Sequence, residues 1–217
     1  MQFPNAYKGV KKIYLGELLM LGVAILGIAI VVILVAGGMA ADGSLDKLNL
    51  TQEQTAIVAG LGLAVSLLMI IGFILMLVGV INAKKDDSNF RIALYAILLG
   101  IVIAVINTLL SKQYPAIEQW LTLATSICSL FSTYFVLSGI GSLAERMGDA
   151  PVKALADKAR NVLCFTFSAS YILKLIQGFL NNPTFSSIVH VIGLVLEIIS
   201  YIYFLIVLAK GRKMLAG

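Results

Sequence analysis

Residues 55–82, TAIVAGLGLAVSLLMIIGFILMLVGVIN, contain no Asp, Glu, Lys or Arg, and Ala83-Lys84-Lys85 follows directly. A helix crosses the roughly 30 Å of hydrocarbon in a bilayer with about 20 residues of this kind. No water reaches that region, so every backbone N–H and C=O of an isolated run must bond within the run, and only a helix allows this. The stretch reads as a transmembrane helix, and the lysines behind it as its anchor at the membrane surface.

Outward from this stretch, five more runs are long and mostly apolar, each with only one or two charged residues: 14–37, 91–111, 116–141, 160–180 and 185–209. The whole chain of 217 residues is 60% apolar and 12% charged, against roughly 25% charged in a soluble domain. The expected fold is therefore all-α: a polytopic membrane helical bundle, residues 1–217 forming one transmembrane domain. Its six transmembrane helices are arranged as three in-out-in hairpins. A cleaved leader fits the first run poorly, because the uncharged stretch from Leu18 to Ala41 exceeds the about 7–15 residues of a signal peptide's apolar core.

Orientation follows from the cations. Lys8, Lys11, Lys12, Lys84, Lys85, Arg91, Arg146, Lys153, Lys158, Arg160, Lys210, Arg212 and Lys213 fall on one side, thirteen in all, and only Lys47 and Lys112 on the other. Cytoplasmic loops carry the excess of Lys and Arg. Both termini are thus expected in the cytoplasm, with the chain in the cell (plasma) membrane. The net charge of +5 does not mark a nucleic-acid partner, since the basic residues border apolar runs and form no patch interleaved with aromatics. Cys128 and Cys164 fall at different expected depths, which disfavours a disulfide. No Cys/His cluster has the spacing of a metal site, and nothing calls for a cofactor.

Local signals mark the helix ends. Thr51-Gln52-Glu53-Gln54 has the form of a capping box, which explains Thr51 better than the glycosylation match Asn49-Leu50-Thr51. Pro115 and Pro183 suit first helical turns. Asp149 with Pro151 can restart a helix, on whose first turns Lys153 and Asp157 form an expected i,i+4 pair. On the third span Ala96, Gly100, Ala104, Asn107 and Ser111 share a face; Gly60, Ala64, Gly72 and Gly79 do so on the second. Such small residues let membrane helices approach closely. Leu77-Val78-Gly79-Val80 recurs loosely as Leu137-Ser138-Gly139-Ile140, either from duplication of a hairpin or from the same topological rule acting three times.

The last three spans are more polar. The fourth carries Glu118, Thr122, Thr125, Ser126, Ser129, Ser132 and Thr133; the fifth Thr166, Ser170, Lys174, Gln177 and Asn181; the sixth Ser186, His190, Gly193, Glu197 and Ser200 or Tyr201. A full charge at the centre of a span costs roughly 2.5–3.5 kcal/mol on insertion scales, so it normally faces a partner. The expected cluster is Lys174 in contact with Glu197, with His190 and Gln177 above them and Ser170 and Ser129 alongside. It reads two ways, as a solute- or proton-binding site or as a buried ion pair that fixes helix register.

Three function classes compete. A non-catalytic component, working as a membrane-embedded accessory, regulatory or complex subunit, fits the short loops and small-residue seams. Its partners would be the lipid bilayer and either another membrane protein or further copies of the chain as a homo-oligomer; a small-molecule substrate is not defined. A small-solute or proton transporter or channel is the alternative, using a polar cavity between the fourth, fifth and sixth spans. An intramembrane enzyme is disfavoured: acid–base or metal chemistry draws on several convergent His, Asp or Glu residues, and the sequence has one His and one deep Glu. No catalytic residue is expected.

Overall fold

A computed structural model describes residues 2–36, 51–111, 113–180 and 183–217. Every element among them is a helix: α1 (Pro4–Ala36), α2 (Gln52–Ala83), α3 (Ser88–Leu110), α4 (Pro115–Met147), α5 (Ala150–Leu180) and α6 (Pro183–Ala216). The chain is an all-α helical bundle. By length and composition α1, α2, α3, α4 and α6 can each cross a membrane. Over its described residues α5 does not reach that standard: Lys153, Asp157, Lys158 and Arg160 crowd its first turns, and Lys174 follows. The first outer connection, with Lys47, and also Lys112 and Asn181 lie outside the described residues.

The helices are longer than the apolar runs that announced them. α1 starts at Pro4 rather than 14, α4 runs to Met147 rather than 141, α5 starts at Ala150 rather than 160, and α6 continues to Ala216 rather than 209. All four extensions lie at the end of the helices that bears the cations, the basic end. Hydropathy detects only what hydrocarbon requires; these extra turns carry charge and are held by other means.

The chain divides into two compact units, residues 12–76 and residues 1–11 with 77–217. In the first, α1 and α2 meet backbone to backbone. A Cβ added at Gly16 would lie 2.6 Å from the Gly72 carbonyl oxygen, and one at Gly72 would lie 3.1 Å from that of Gly16. Without a hydrophobic drive between helices in lipid, this approach supplies the attraction. Gly60, expected in the same seam, has nothing within 4 Å; the seam does not extend to it. The capping box is present: Gln54 donates its N–H to the Thr51 hydroxyl (3.2 Å), and Thr51 donates its own to the Gln54 side-chain oxygen (2.9 Å).

In the second unit α4 is the central helix, packed against α3, α5 and α6. Its glycines admit its neighbours. The Phe90 ring lies so close over Gly139 that a Cβ there would meet ring carbon Cε2 at 2.5 Å; Gly211 of α6 faces Ile140 in the same manner. At the start of α1, Gly9 lies against the Gly79 carbonyl oxygen, which an added Cβ would meet at 2.5 Å. The small face of α3 allows the expected close approach, and the helix it meets is α4, with Gly100 against Cys128 and Asn107 donating to the Thr122 hydroxyl at 3.4 Å.

The core of this unit lies mainly at the basic end. Val80, Ala83, Phe90, Ala93, Leu137, Ile140, Leu143, Ala156, Val207, Leu208 and Leu215 are all buried there. Towards the far end burial is sparse: Cys128, Thr166 and Val189 are buried, while Ile172, Leu175, Val191, Leu194 and Ile198 are exposed. The connections are tight. α4 ends at Gly148 (φ 72°), where Asp149 donates its N–H to the Ala144 carbonyl and Gly148 to that of Glu145. Only glycine adopts this left-handed turn without strain. Asp149 then caps α5 by accepting the Val152 N–H at 3.0 Å, and α4 and α6 open at Pro115 and Pro183 as expected.

Candidate functional site

Two polar constellations stand out. The first, at the basic end, is organised by two adjacent acids in the turn after α2. Asp86 reaches the start of α1: its carboxylate accepts the Ala6 N–H at 2.7 Å and the Asn5 side-chain amide at 3.0 Å. A helix N-terminus leaves N–H groups unpaired and carries partial positive charge, so a carboxylate there satisfies both. Asp87 caps α3 through the Asn89 N–H (2.8 Å) and also accepts from the Ser142 hydroxyl (2.8 Å) and the Arg146 guanidinium (2.9 Å). Its side chain is 1% exposed, against 47% for Arg146. Asp87 therefore joins the head of α3 to the tail of α4.

Beside this junction α3, α4 and α5 line an open cleft of about 470 Å³, with Tyr134, Ser138, Glu145, Lys153, Asp157 and Arg160 in its wall. Arg160 donates to the Ser138 hydroxyl at 3.2 Å, pairs with Asp157 and lies over the Tyr134 ring. Lys153 pairs with Glu145 at 2.7 Å rather than with Asp157. The expected i,i+4 pair is thus replaced, because the Gly148 turn folds α5 back along α4 and brings Glu145 to Lys153, while Arg160 takes Asp157. Each cation of the wall is matched by an acid. Chemically the arrangement clamps helix ends together, and its lining carries no excess of either sign.

The second constellation is the expected intramembrane cluster, and it is only partly assembled. Gln177 of α5 donates its amide to the Ser186 hydroxyl of α6 at 2.7 Å. His190 Nδ1 lies 2.8 Å from the Ser186 carbonyl oxygen. A carbonyl can only accept, so Nδ1 carries the proton and, in the neutral ring, Nε2 keeps its lone pair. Gln177 and His190 thus meet at Ser186. Lys174 and Glu197 do not meet: both are exposed, and neither takes part in the ion pairs Arg146–Asp87, Lys153–Glu145 and Arg160–Asp157. The expected Lys174–Glu197 contact is absent within the chain. The helices α5 and α6 touch, but not through these two side chains.

The hydroxyls of α4 are largely satisfied on their own helix. Thr125 donates to the Leu121 carbonyl, Ser126 to that of Thr122 and Ser132 to that of Ser129. Ser129 is exposed, and Ser170 holds a buried hydroxyl oxygen with no partner. Both cysteines are free, Cys128 buried and Cys164 exposed. Among the described residues no three His, Cys, Asp or Glu side chains converge as a metal site requires.

Sequence reasoning missed Asp86 and Asp87. Asp87-Ser88-Asn89 immediately before the third apolar run is an N-cap signal, but the acids' other partners lie 55 to 81 residues away, beyond any local rule. The chain matches no protein-family model, no curated protein and no solved structure.

Proposed function

We propose that the chain is a non-catalytic subunit of the plasma membrane, crossing it six times with both termini in the cytoplasm and acting by packing against protein within the bilayer. One observation carries this reading: Lys174 and Glu197, opposite full charges on α5 and α6, are exposed and form no ion pair among the described residues. On a helix facing lipid each would cost roughly 2.5–3.5 kcal/mol at the centre of a span. A protein surface that pairs them removes that cost. The basic end, clamped by Asp86, Asp87, Arg146 and Arg160, would serve as the rigid base from which the far halves of α5 and α6 are presented.

Purified protein in liposomes tests the reading against transport through a cavity between α4, α5 and α6. The expected result is no solute or proton flux above empty liposomes, for wild type and Glu197→Gln alike. Flux in the wild type that disappears in a folded Glu197→Gln variant would refute it.

A further inference from the structure

We infer that the partner covering α5 and α6 is a second copy of this chain, with Lys174 of each copy paired to Glu197 of the other. The inference rests on the packing role proposed above and names the partner. It starts from where the two charges lie. Lys174 is six residues before the end of α5 at Leu180, and Glu197 is fourteen residues past the start of α6 at Pro183. At about 1.5 Å per residue, Lys174 lies about 9 Å and Glu197 about 21 Å below the far ends of their helices.

Helix direction narrows that offset. Side chains lean towards the N-terminus of their own helix. α5 runs away from the basic end, so Lys174 leans back towards the level of Glu197. α6 runs the opposite way, so Glu197 leans towards the level of Lys174. A long lysine stem and a glutamate approaching from opposite levels can meet across an interface that brings the two exposed positions face to face.

The choice of a second copy follows from symmetry. Copies inserted in one bilayer share orientation and depth, and a twofold axis along the membrane normal places residue i against j and j against i. A face bearing one base and one acid is then complementary to itself, and two ion pairs form from one surface. Any other partner would need an acid and a base of its own at these same two levels. The exposed apolar residues of the face, Leu175, Leu194 and Ile198 among them, would pack around the pairs and keep lipid from the charges.

Charge reversal in trans tests the assignment. Two differently tagged copies are co-expressed, extracted into mild detergent or nanodiscs, and one tag is captured while the other is quantified. Wild-type copies are expected to co-purify. Lys174→Glu with itself, and Glu197→Lys with itself, are expected to fall about tenfold, two like-charge contacts replacing two pairs in each. Lys174→Glu mixed with Glu197→Lys should recover the wild-type level, since every contact between unlike copies again joins opposite charges. Rescue in trans also shows that both variants fold and that the pair is between chains.

Wild-type copies that do not co-purify, single variants as associated as wild type, or a mixture no better than either variant alone would each overturn the inference. Should a reversal variant fail to fold, cross-linking a Lys174→Cys copy to a Glu197→Cys copy in the intact membrane, with Cys128 and Cys164 replaced by serine in both, decides the matter. A mixed product at twice the chain's mass is expected, and its absence overturns the assignment. A monomeric wild type removes the second copy while leaving the packing role in place; flux in liposomes removes that role whatever the oligomeric state.

Discussion

Asp87 is the residue whose loss should be felt most widely, and its cost can be built from its contacts. Asp87→Ala removes the cap on α3, worth about 1 kcal/mol, and leaves the Ser142 hydroxyl without its acceptor, worth about 1 kcal/mol more. The bond to Arg146 is charge-assisted, but the guanidinium is 47% exposed, so it belongs at the lower end, about 1–2 kcal/mol. Together these give about 3–4 kcal/mol, within the range for breaking a buried pair by removing one partner. For a chain of this length that corresponds to roughly 10 °C in midpoint. Asp87→Asn keeps an acceptor for Asn89 and Ser142 and loses only the charge, so it should cost about half as much. The assay is thermal unfolding in mild detergent, read by a thiol-reactive dye. In a Cys164→Ser background the dye reports when buried Cys128 opens. Arg146→Met should lower the midpoint clearly in the wild-type background and hardly at all beside Asp87→Asn. A shift under about 2 °C for Asp87→Ala, or an Arg146→Met effect equal in both backgrounds, would show that Asp87 does not join α3 to α4.

Other outcomes follow from the same geometry. Gly139→Ala drives a Cβ to 2.5 Å from the fully buried Phe90 ring and should cost about 1–3 kcal/mol in the same unfolding assay. Gly141→Ala meets Ala156 at 3.4 Å, an ordinary contact, and should be neutral or gain up to about 1 kcal/mol of helix propensity. Thr51→Ala breaks the capping box and should cost about 1 kcal/mol; amide exchange in the first turn of α2 would rise, and unchanged exchange would count against the cap. With both native cysteines replaced by serine, an impermeant maleimide on intact cells should label Gln113→Cys at once and Ala150→Cys only after permeabilisation. Labelling of both from the same side would refute the assigned topology.

The sequence made some features plain and hid others for physical reasons. Spans are legible because hydrocarbon imposes length and composition on each helix separately, with no knowledge of its neighbours. The caps at Thr51 and Asp149 and the proline at the head of α4 are legible because their partners or constraints lie within a few residues. Lys153 shows where that logic stops: Asp157 stood at the favourable spacing, but a left-handed turn at Gly148 placed Glu145 nearer. Asp86 and Asp87 are not legible in this way: orientation is set by cations, and Arg146 reads in the sequence as a topological marker because its acid lies 59 residues away. The Lys174–Glu197 pairing was drawn from helical spacing, which places residues on a face but says nothing of which neighbour that face meets.

The placement of the core explains why these two charges can be left open. Apolar burial drives folding only where water is the competing environment; within lipid an isoleucine gains little by leaving hydrocarbon for protein. The second unit buries Phe90, Leu143, Leu208 and Leu215 at the basic end, where the helices overrun their apolar runs and ion pairs and caps reinforce them. Towards the far end Val191, Leu194 and Ile198 remain exposed, which costs nothing against acyl chains. Lys174 and Glu197 on that same surface are the exception, since lipid would penalise them and no ion pair among the described residues relieves the penalty. Substitutions at Asp87 or Gly139 should therefore lower stability without changing association among the molecules that fold, whereas substitutions at Lys174 or Glu197 should change association at constant stability. Measuring midpoint and co-purification on one set of variants separates these effects. Loss of both together on changing Glu197 would mean that the far halves of α5 and α6 are part of the folding core after all.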